Sequence, residues 1–117
     1  MSKPWQVYAQ HILEAMEKLR RIQARGEVAV DEVLYAASLR HLQTPAEATQ
    51  RLPEQLKRSY PAIPWKDISG FRDILVRNYF GNIDPATITT VLQRDLPPLE
   101  AAIRAMLAAR PTDHAAN

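Results

Sequence analysis

The most informative segment of this chain is Trp65-Lys-Asp-Ile-Ser-Gly-Phe-Arg-Asp-Ile-Leu-Val-Arg-Asn-Tyr-Phe-Gly81. Its apolar residues recur every three or four positions, at Ile68, Phe71, Leu75 and Tyr79. This period predicts one face of a helix of about four turns. Pro64 fits the first turn, where the missing N–H of proline needs no partner, and Gly81 fits a left-handed C-cap.

The same segment carries polar residues of an unusual kind. Arg72 and Tyr79 are seven residues apart, so they lie two turns apart on one face of the helix. Arg77 follows Arg72 by five residues, which is roughly 140° around the axis. A single straight helix therefore does not readily direct both arginines at one small group. Long side chains, or a second copy of the helix, would bring them together.

The segment resembles the signature of HepT-like proteins of the HEPN superfamily, which belong to HepT/MntA-type toxin–antitoxin systems. Their motif is an arginine, four residues, a histidine, one residue and a tyrosine. Arg72, the spacing and Tyr79 match this motif, whereas Arg77 stands at the histidine position. Four stretches resemble family blocks in the same order, at residues 8–19 (YAQHILEAMEKL), 39–53 (LRHLQTPAEATQRLP), 60–81 (YPAIPWKDISGFRDILVRNYFG) and 92–99 (LQRDLPPL).

This resemblance implies an all-α, HEPN-like antiparallel bundle of about five helices. It implies a metal-independent endoribonuclease toxin that uses no cofactor and is held by a cognate nucleotidyltransferase antitoxin. Family members are homodimers in which two motifs meet at the interface, with RNA as the substrate. Arg72 and Arg77 then occupy the catalytic positions, and Tyr79 occupies the position that the antitoxin modifies with AMP.

The arginine at position 77 changes the chemistry that this motif can perform. Histidine exchanges protons near neutral pH, whereas arginine stays protonated. We therefore expect impaired or absent RNA cleavage, in a natural inactive member or in a chain disabled by design or selection. A functional role for Arg77 is the third explanation. The alternative function is a non-catalytic helical module that binds a nucleotidyltransferase, with Arg72 and Arg77 on a solvated face beside Asp73.

Composition limits the class of protein. The chain has 117 residues, 46% hydrophobic and 24% charged, which is typical of one globular domain. The formal charge of +2 permits nucleic-acid binding without demanding it, and the absence of cysteine excludes disulfides and thiolate chemistry. No apolar run is long enough to cross a membrane, and no signal peptide or metal-ligand spacing is present, so we expect a cytoplasmic protein.

The rest of the sequence predicts helices that are bounded or interrupted by prolines. We expect a helix over residues 5–25, and then a loop over 27–33 that leads into a helix capped by Asp31, with a short strand over 27–33 as the alternative. The second helix is expected to continue with a kink through Pro45, with a break as the alternative. A short helix over 53–60 and an extended linker over 60–64 follow. Asp84 begins the last helix, which Pro97 and Pro98 kink or divide. Residues 1–110 form one domain, and 111–117 form a flexible tail.

Four further residues have competing interpretations. His11 lies among apolar residues and is most simply structural, and His114 belongs to the tail. His41 is the remaining histidine, so it is the residue to test as a substitute base, although a structural role is the commoner one. Gly70 lies in mid-helix, where it costs about 1 kcal/mol relative to alanine, and close approach of another helix would explain it.

Overall fold

The computed structural model describes residues 3–78 and 83–109. Within these ranges the chain forms helices and turns, and no strand. The helices are α1 (Trp5–Arg25), α2 (Glu32–Ala48), α3 (Glu54–Arg58), α4 (Trp65–Arg77), α5 (Pro85–Thr90) and α6 (Leu96–Ala109). A helical segment joins α5 to α6, so the described chain contains five helical rods. The prediction of an all-α bundle of about five helices is confirmed.

The first two helices form a hairpin that closes over a tight turn. The carbonyl of Glu27 accepts from the Asp31 N–H at 3.1 Å, and the Asp31 carboxylate accepts from the N–H groups of Val33 at 2.9 Å and Leu34 at 3.2 Å. Asp31 is therefore the N-cap that the sequence predicts. Gly26 ends α1 where a Cβ would lie 3.1 Å from the Leu34 side chain, so a larger residue would require a small shift of that side chain.

Two hydrophobic clusters fill the described core. One joins the second half of α1 to α2, the end of α4 and the start of α5, and includes Leu42 and Ile88. The other joins the first half of α1 to α6 and includes Ile12, Leu99 and Ile103, each 0% exposed. Helix α4 contacts both clusters, but Leu75 is its one buried residue in the described range. The motif helix therefore lies on the surface of the bundle.

Prolines lie within two of the helical rods, and the expectation at Pro45 can be compared directly. Helix α2 continues through the buried Pro45 and ends in a 3-10 turn over Thr49–Arg51, so the continuous helix is confirmed. Before Pro97 and Pro98, the backbone widens into a π-helical segment over Val91–Asp95. Because these prolines lack an N–H and crowd the preceding carbonyls, a wider turn removes the conflict without ending the rod. Asp84 caps this rod by accepting the Ala86 N–H at 2.9 Å.

One local prediction is wrong. Residues 60–64 form a hydrogen-bonded turn instead of an extended linker, because the Ile63 N–H donates to the Tyr60 carbonyl at 3.1 Å. Pro61 occupies the second position of this turn, where its fixed φ is favourable. Trp65 then anchors the start of α4, since its Nε1 donates to the carbonyls of Lys57 and Tyr60 at 3.1 Å each.

Helix α4 ends at Arg77 in the described structure. The Asn78 N–H and side-chain Nδ2 both donate to the Ile74 carbonyl, at 3.0 and 2.8 Å. The predicted C-cap Gly81 and the tail at 111–117 lie outside the described residues. In the part of the chain that is described, every helix is too short or too polar to cross a lipid bilayer.

Candidate functional site

Arg72 lies on α4 where this helix faces α2. Its Nε donates to Glu47 Oε2 at 3.4 Å, and its Nη1 lies 3.5 Å from Asp73 Oδ1. The Arg72 side chain is 41% exposed, and the two carboxylate side chains are 62% and 67% exposed. Ion pairs at such exposed positions contribute about 0–1 kcal/mol each, so a phosphate group could replace either carboxylate at small cost. Arg72 is thus a permanent cation available to an anionic ligand.

Arg77 lies at the end of α4 in different surroundings. Its Nε donates to the Asp73 carbonyl at 3.4 Å, one turn earlier, and its charge is favourable at a helix C-terminus. Arg77 borders a groove between α2, α4 and the α5–α6 rod, whereas Arg72 reaches toward Glu47 of α2. Within one copy of the chain, the two arginines therefore face different neighbours, in keeping with their angular separation of roughly 140°.

The groove beside Arg77, here the α4 groove, has a volume of about 580 Å³ and largely apolar walls. Its apolar lining includes Leu42, Pro45, Ala46, Phe71, Ile74, Val91 and Leu96. Ile74 is 41% exposed, and a Cβ on Gly70 would meet no other described residue within 4 Å. The close approach that Gly70 suggests is therefore not made by any helix in the described part of this chain.

A second groove of about 1160 Å³ lies between α1, α2 and α4, and we call it the His41 groove. Its charged and polar lining comprises Lys18 of α1 together with Glu32, Tyr35, Arg40, His41, Gln43, Thr44 and Glu47 of α2. Leu75 of α4 closes one side. Because Glu47 also contacts Arg72, the motif arginine lies at the border of the groove that contains His41.

His41 is partly buried in this groove. Burial lowers the pKa of His41 below its ordinary value of 6.5, and repulsion by the charges of Lys18 and Arg40 lowers it further. The imidazole is therefore mostly neutral at pH 7 and able to accept a proton. His11, in contrast, packs edge-on against the Tyr8 ring with the centroids 6.2 Å apart, on another part of α1.

Sequence reasoning did not find Glu47, Lys18 or Arg40 as neighbours of a candidate site. Glu47 precedes Arg72 by 25 residues, and no local pattern pairs them. Lys18 belongs to the basic end of α1, which a solvated surface explains equally well. A helical wheel of α1 and α2 places Lys18 and Arg40 off the apolar faces, but only the packed hairpin brings them beside His41.

Tyr79, the predicted AMP-modification position, lies outside the described residues. Among residues 3–78 and 83–109, no three acidic or histidine side chains converge as a possible metal-ligand set, and we assign none.

Comparison with known protein families decides the assignment. The model of the family described as "Ribonuclease HepT-like" matches residues 12–106, which include α2, α4 and most of α1 and α6. The chain belongs to the HepT-like ribonuclease family. Both grooves and the Arg72–Arg77 segment lie inside the matched region.

Relatives agree with this family. A protein of Caldanaerobacter subterraneus named "Putative RNase" is 32% identical over 103 residues, covering 86% of this chain and 91% of the relative. A "Probable ribonuclease HepT" of Thermococcus cleftensis is 28% identical over 103 residues, covering 86% and 93%. A Methanocaldococcus jannaschii protein named "Gamma-glutamylcyclotransferase and putative RNase" is 32% identical over 106 residues, covering 88% of this chain and 47% of the relative. The chain therefore spans about half the length of this relative. No solved structure is a significant match.

Proposed function

We propose that this protein is the toxin subunit of a toxin–antitoxin pair, a metal-independent endoribonuclease whose activity is impaired by Arg77. The observation that supports this proposal best is Arg72. This residue stands at the arginine position of the motif, inside the region that matches the family. Its side chain is accessible, and its ion pairs with described residues are both to exposed carboxylates. Its guanidinium has the planar donor geometry that suits a phosphate group.

The chemistry of RNA cleavage explains the impairment. The 2′-hydroxyl must lose a proton as its oxygen attacks phosphorus, and the leaving 5′-oxygen must gain one. A cation stabilises the charge that develops on the phosphoryl oxygens. Arg72 supplies such a cation, but Arg77 cannot exchange protons at physiological pH. Because general acid–base catalysis contributes about 10²–10⁴-fold, cleavage is slow without a proton-exchanging group at this position. The substitution Arg77→His tests this enzymatic part of the proposal.

We propose that the protein is a homodimer in which two copies of α4 face each other. Gly70, Ile74 and Arg77 lie on one side of this helix, next to the α4 groove, where no described residue covers Gly70. A second helix could approach closely at a glycine, and a second copy would bring the two motif segments into one cleft.

Light scattering at micromolar concentration tests the dimer. The unsubstituted protein, here called the parent, is expected to have the mass of two 13.3 kDa chains. Ile74→Asp is expected to give monomers, because it places a charge on the proposed interface. Val30→Asp is the matched control, since Val30 is an exposed apolar residue in the turn between α1 and α2 and should leave the dimer intact. A monomeric parent would remove this part of the proposal.

We propose a nucleotidyltransferase as the partner, with Tyr79 as the residue that it modifies. The tyrosine hydroxyl would attack the α-phosphorus of ATP, forming a phosphodiester with AMP and releasing pyrophosphate. The new negative charge would lie near the motif arginines and compete with RNA for their donors.

Intact mass after incubation with the partner and ATP measures this transfer. The parent is expected to gain one AMP, and Tyr79→Phe is expected to gain none because it lacks the hydroxyl. Tyr60→Phe removes a hydroxyl elsewhere in the chain and should gain AMP as the parent does. If Tyr79→Phe gains the same mass as the parent, Tyr79 is not the modified residue.

A further inference from the structure

The His41 groove combines features that suit an RNA phosphodiester. It is open to solvent, its volume of about 1160 Å³ can hold more than one nucleotide, and polar side chains from two helices line it. Lys18 and Arg40 form no ion pair with any described residue, so both charges are available to an anion.

The two carboxylates of the groove do not cancel the positive charges of Lys18 and Arg40. Glu47 is paired with Arg72, which offsets its charge. Glu32 lies at the N-terminal end of α2, where a carboxylate is favoured by the helix dipole. Counting Arg72 with the lining residues, three cations face two carboxylates, so the groove has an excess of positive charge next to a neutral histidine.

We propose that His41 is the general base for the slow RNA cleavage of this chain, acting on a phosphodiester held in the His41 groove by Lys18 and Arg40. This inference rests on the proposed ribonuclease function. It assigns to α2 the proton transfer that Arg77 of α4 cannot perform, and it makes His41 a catalytic residue in place of the motif histidine.

The reaction requires no component beyond RNA, the protein and water. The neutral His41 ring accepts the proton of the 2′-hydroxyl while the 2′-oxygen forms a bond to phosphorus. The bond from phosphorus to the 5′-oxygen breaks, and that oxygen takes a proton from water. The products are a 2′,3′-cyclic phosphate and a 5′-hydroxyl, and His41 returns its proton to solvent. An oligonucleotide that lacks the 2′-hydroxyl next to the cleaved phosphate should bind but should not be cleaved.

The charges around His41 predict a specific pH dependence. The titratable and charged groups that line the groove with it are Lys18 from α1 and, from α2, Glu32, Tyr35, Arg40 and Glu47. Arg72 from α4 is paired with Glu47 at the border of the groove. Since the neutral imidazole is the active form, the rate should rise with pH and level off above a midpoint that lies below 6.5. Lys18→Gln removes a cation that repels the proton, so the midpoint should move upward while RNA affinity falls.

The experiment compares RNA cleavage in chelator by the parent, His41→Gln and His11→Gln, with circular dichroism to confirm folding of each. His11 is the matched control because it is also a partly buried histidine but does not line this groove. We expect slow cleavage by the parent, a loss of about 10²-fold or more in His41→Gln, and no change in His11→Gln. The upward shift of the pH midpoint in Lys18→Gln then distinguishes catalysis from a structural role of the histidine.

The other outcomes separate this inference from the proposed function. If the parent cleaves RNA and His41→Gln cleaves equally fast, His41 is not the base, and the ribonuclease function stands. If the parent leaves RNA intact but Arg77→His cleaves it, the inference fails and the proposed function again stands. If neither protein cleaves RNA, both are wrong.

Discussion

Replacing Arg77 with histidine is expected to raise the rate of RNA cleavage by about 10²–10⁴-fold over the parent. Histidine supplies a group that gains and loses a proton near neutral pH, which the motif otherwise lacks. Arg72 and the seven-residue spacing to Tyr79 are already in place. The rate of cleavage of a labelled RNA by purified protein measures the change, and expression of the variant gene should be toxic to its host.

The surroundings of Arg77 indicate that a substitution at this position will not disturb the fold. Arg77 is exposed, lies at the last residue of α4, and makes its described hydrogen bond to a backbone carbonyl. Its replacement therefore leaves no buried group unpaired. Arg77→Gln is the control, because it removes the charge as histidine does at high pH but cannot exchange a proton. Cleavage should rise with histidine and not with glutamine.

Leu99→Ala is expected to lower the free energy of unfolding by about 2–5 kcal/mol. Leu99 is 0% exposed and lies among Ile12 of α1 and Ile103 of α6, so alanine would leave a cavity where these helices meet. Urea denaturation at a fixed protein concentration measures the change, and the fixed concentration keeps the contribution of association the same for both proteins.

Val33→Ala is the control for this core substitution. Val33 is 75% exposed in the first turn of α2, so its truncation should change stability by less than about 0.5 kcal/mol. Equal effects of the two substitutions would show that the contact between α1 and α6 is not a major source of stability.

Most of the helical framework could be predicted from local chemistry. The caps at Asp31 and Asp84 act over two or three residues, and the apolar period of α1 is continuous over its 21 residues. Such signals are contained in the segment that they shape. The turn over residues 60–63 was missed because two prolines separately favour extended backbone, whereas the hydrogen bond between Tyr60 and Ile63 closes the chain.

The candidate site was less predictable than the fold. The motif identified Arg72 and Arg77, but their partners depend on packing between helices that are far apart in sequence. The contact of Arg72 with Glu47 and the position of Lys18 beside His41 exist only after α1, α2 and α4 assemble. A histidine in a helix has no local signal that distinguishes a base from a structural residue, so the role proposed for His41 depends on the groove around it.

We propose that this chain has a ribonuclease site that lacks only a proton-exchanging group at position 77. The most direct measurement compares RNA cleavage by Arg77→His and by Arg77→His/Arg72→Ala, in the presence of chelator. We predict that the single variant cleaves RNA that contains the 2′-hydroxyl, and that removing Arg72 abolishes most of this activity because the phosphate loses its cation. If Arg77→His folds and dimerises but leaves RNA intact, the ribonuclease account is contradicted, and a non-catalytic interaction module takes its place.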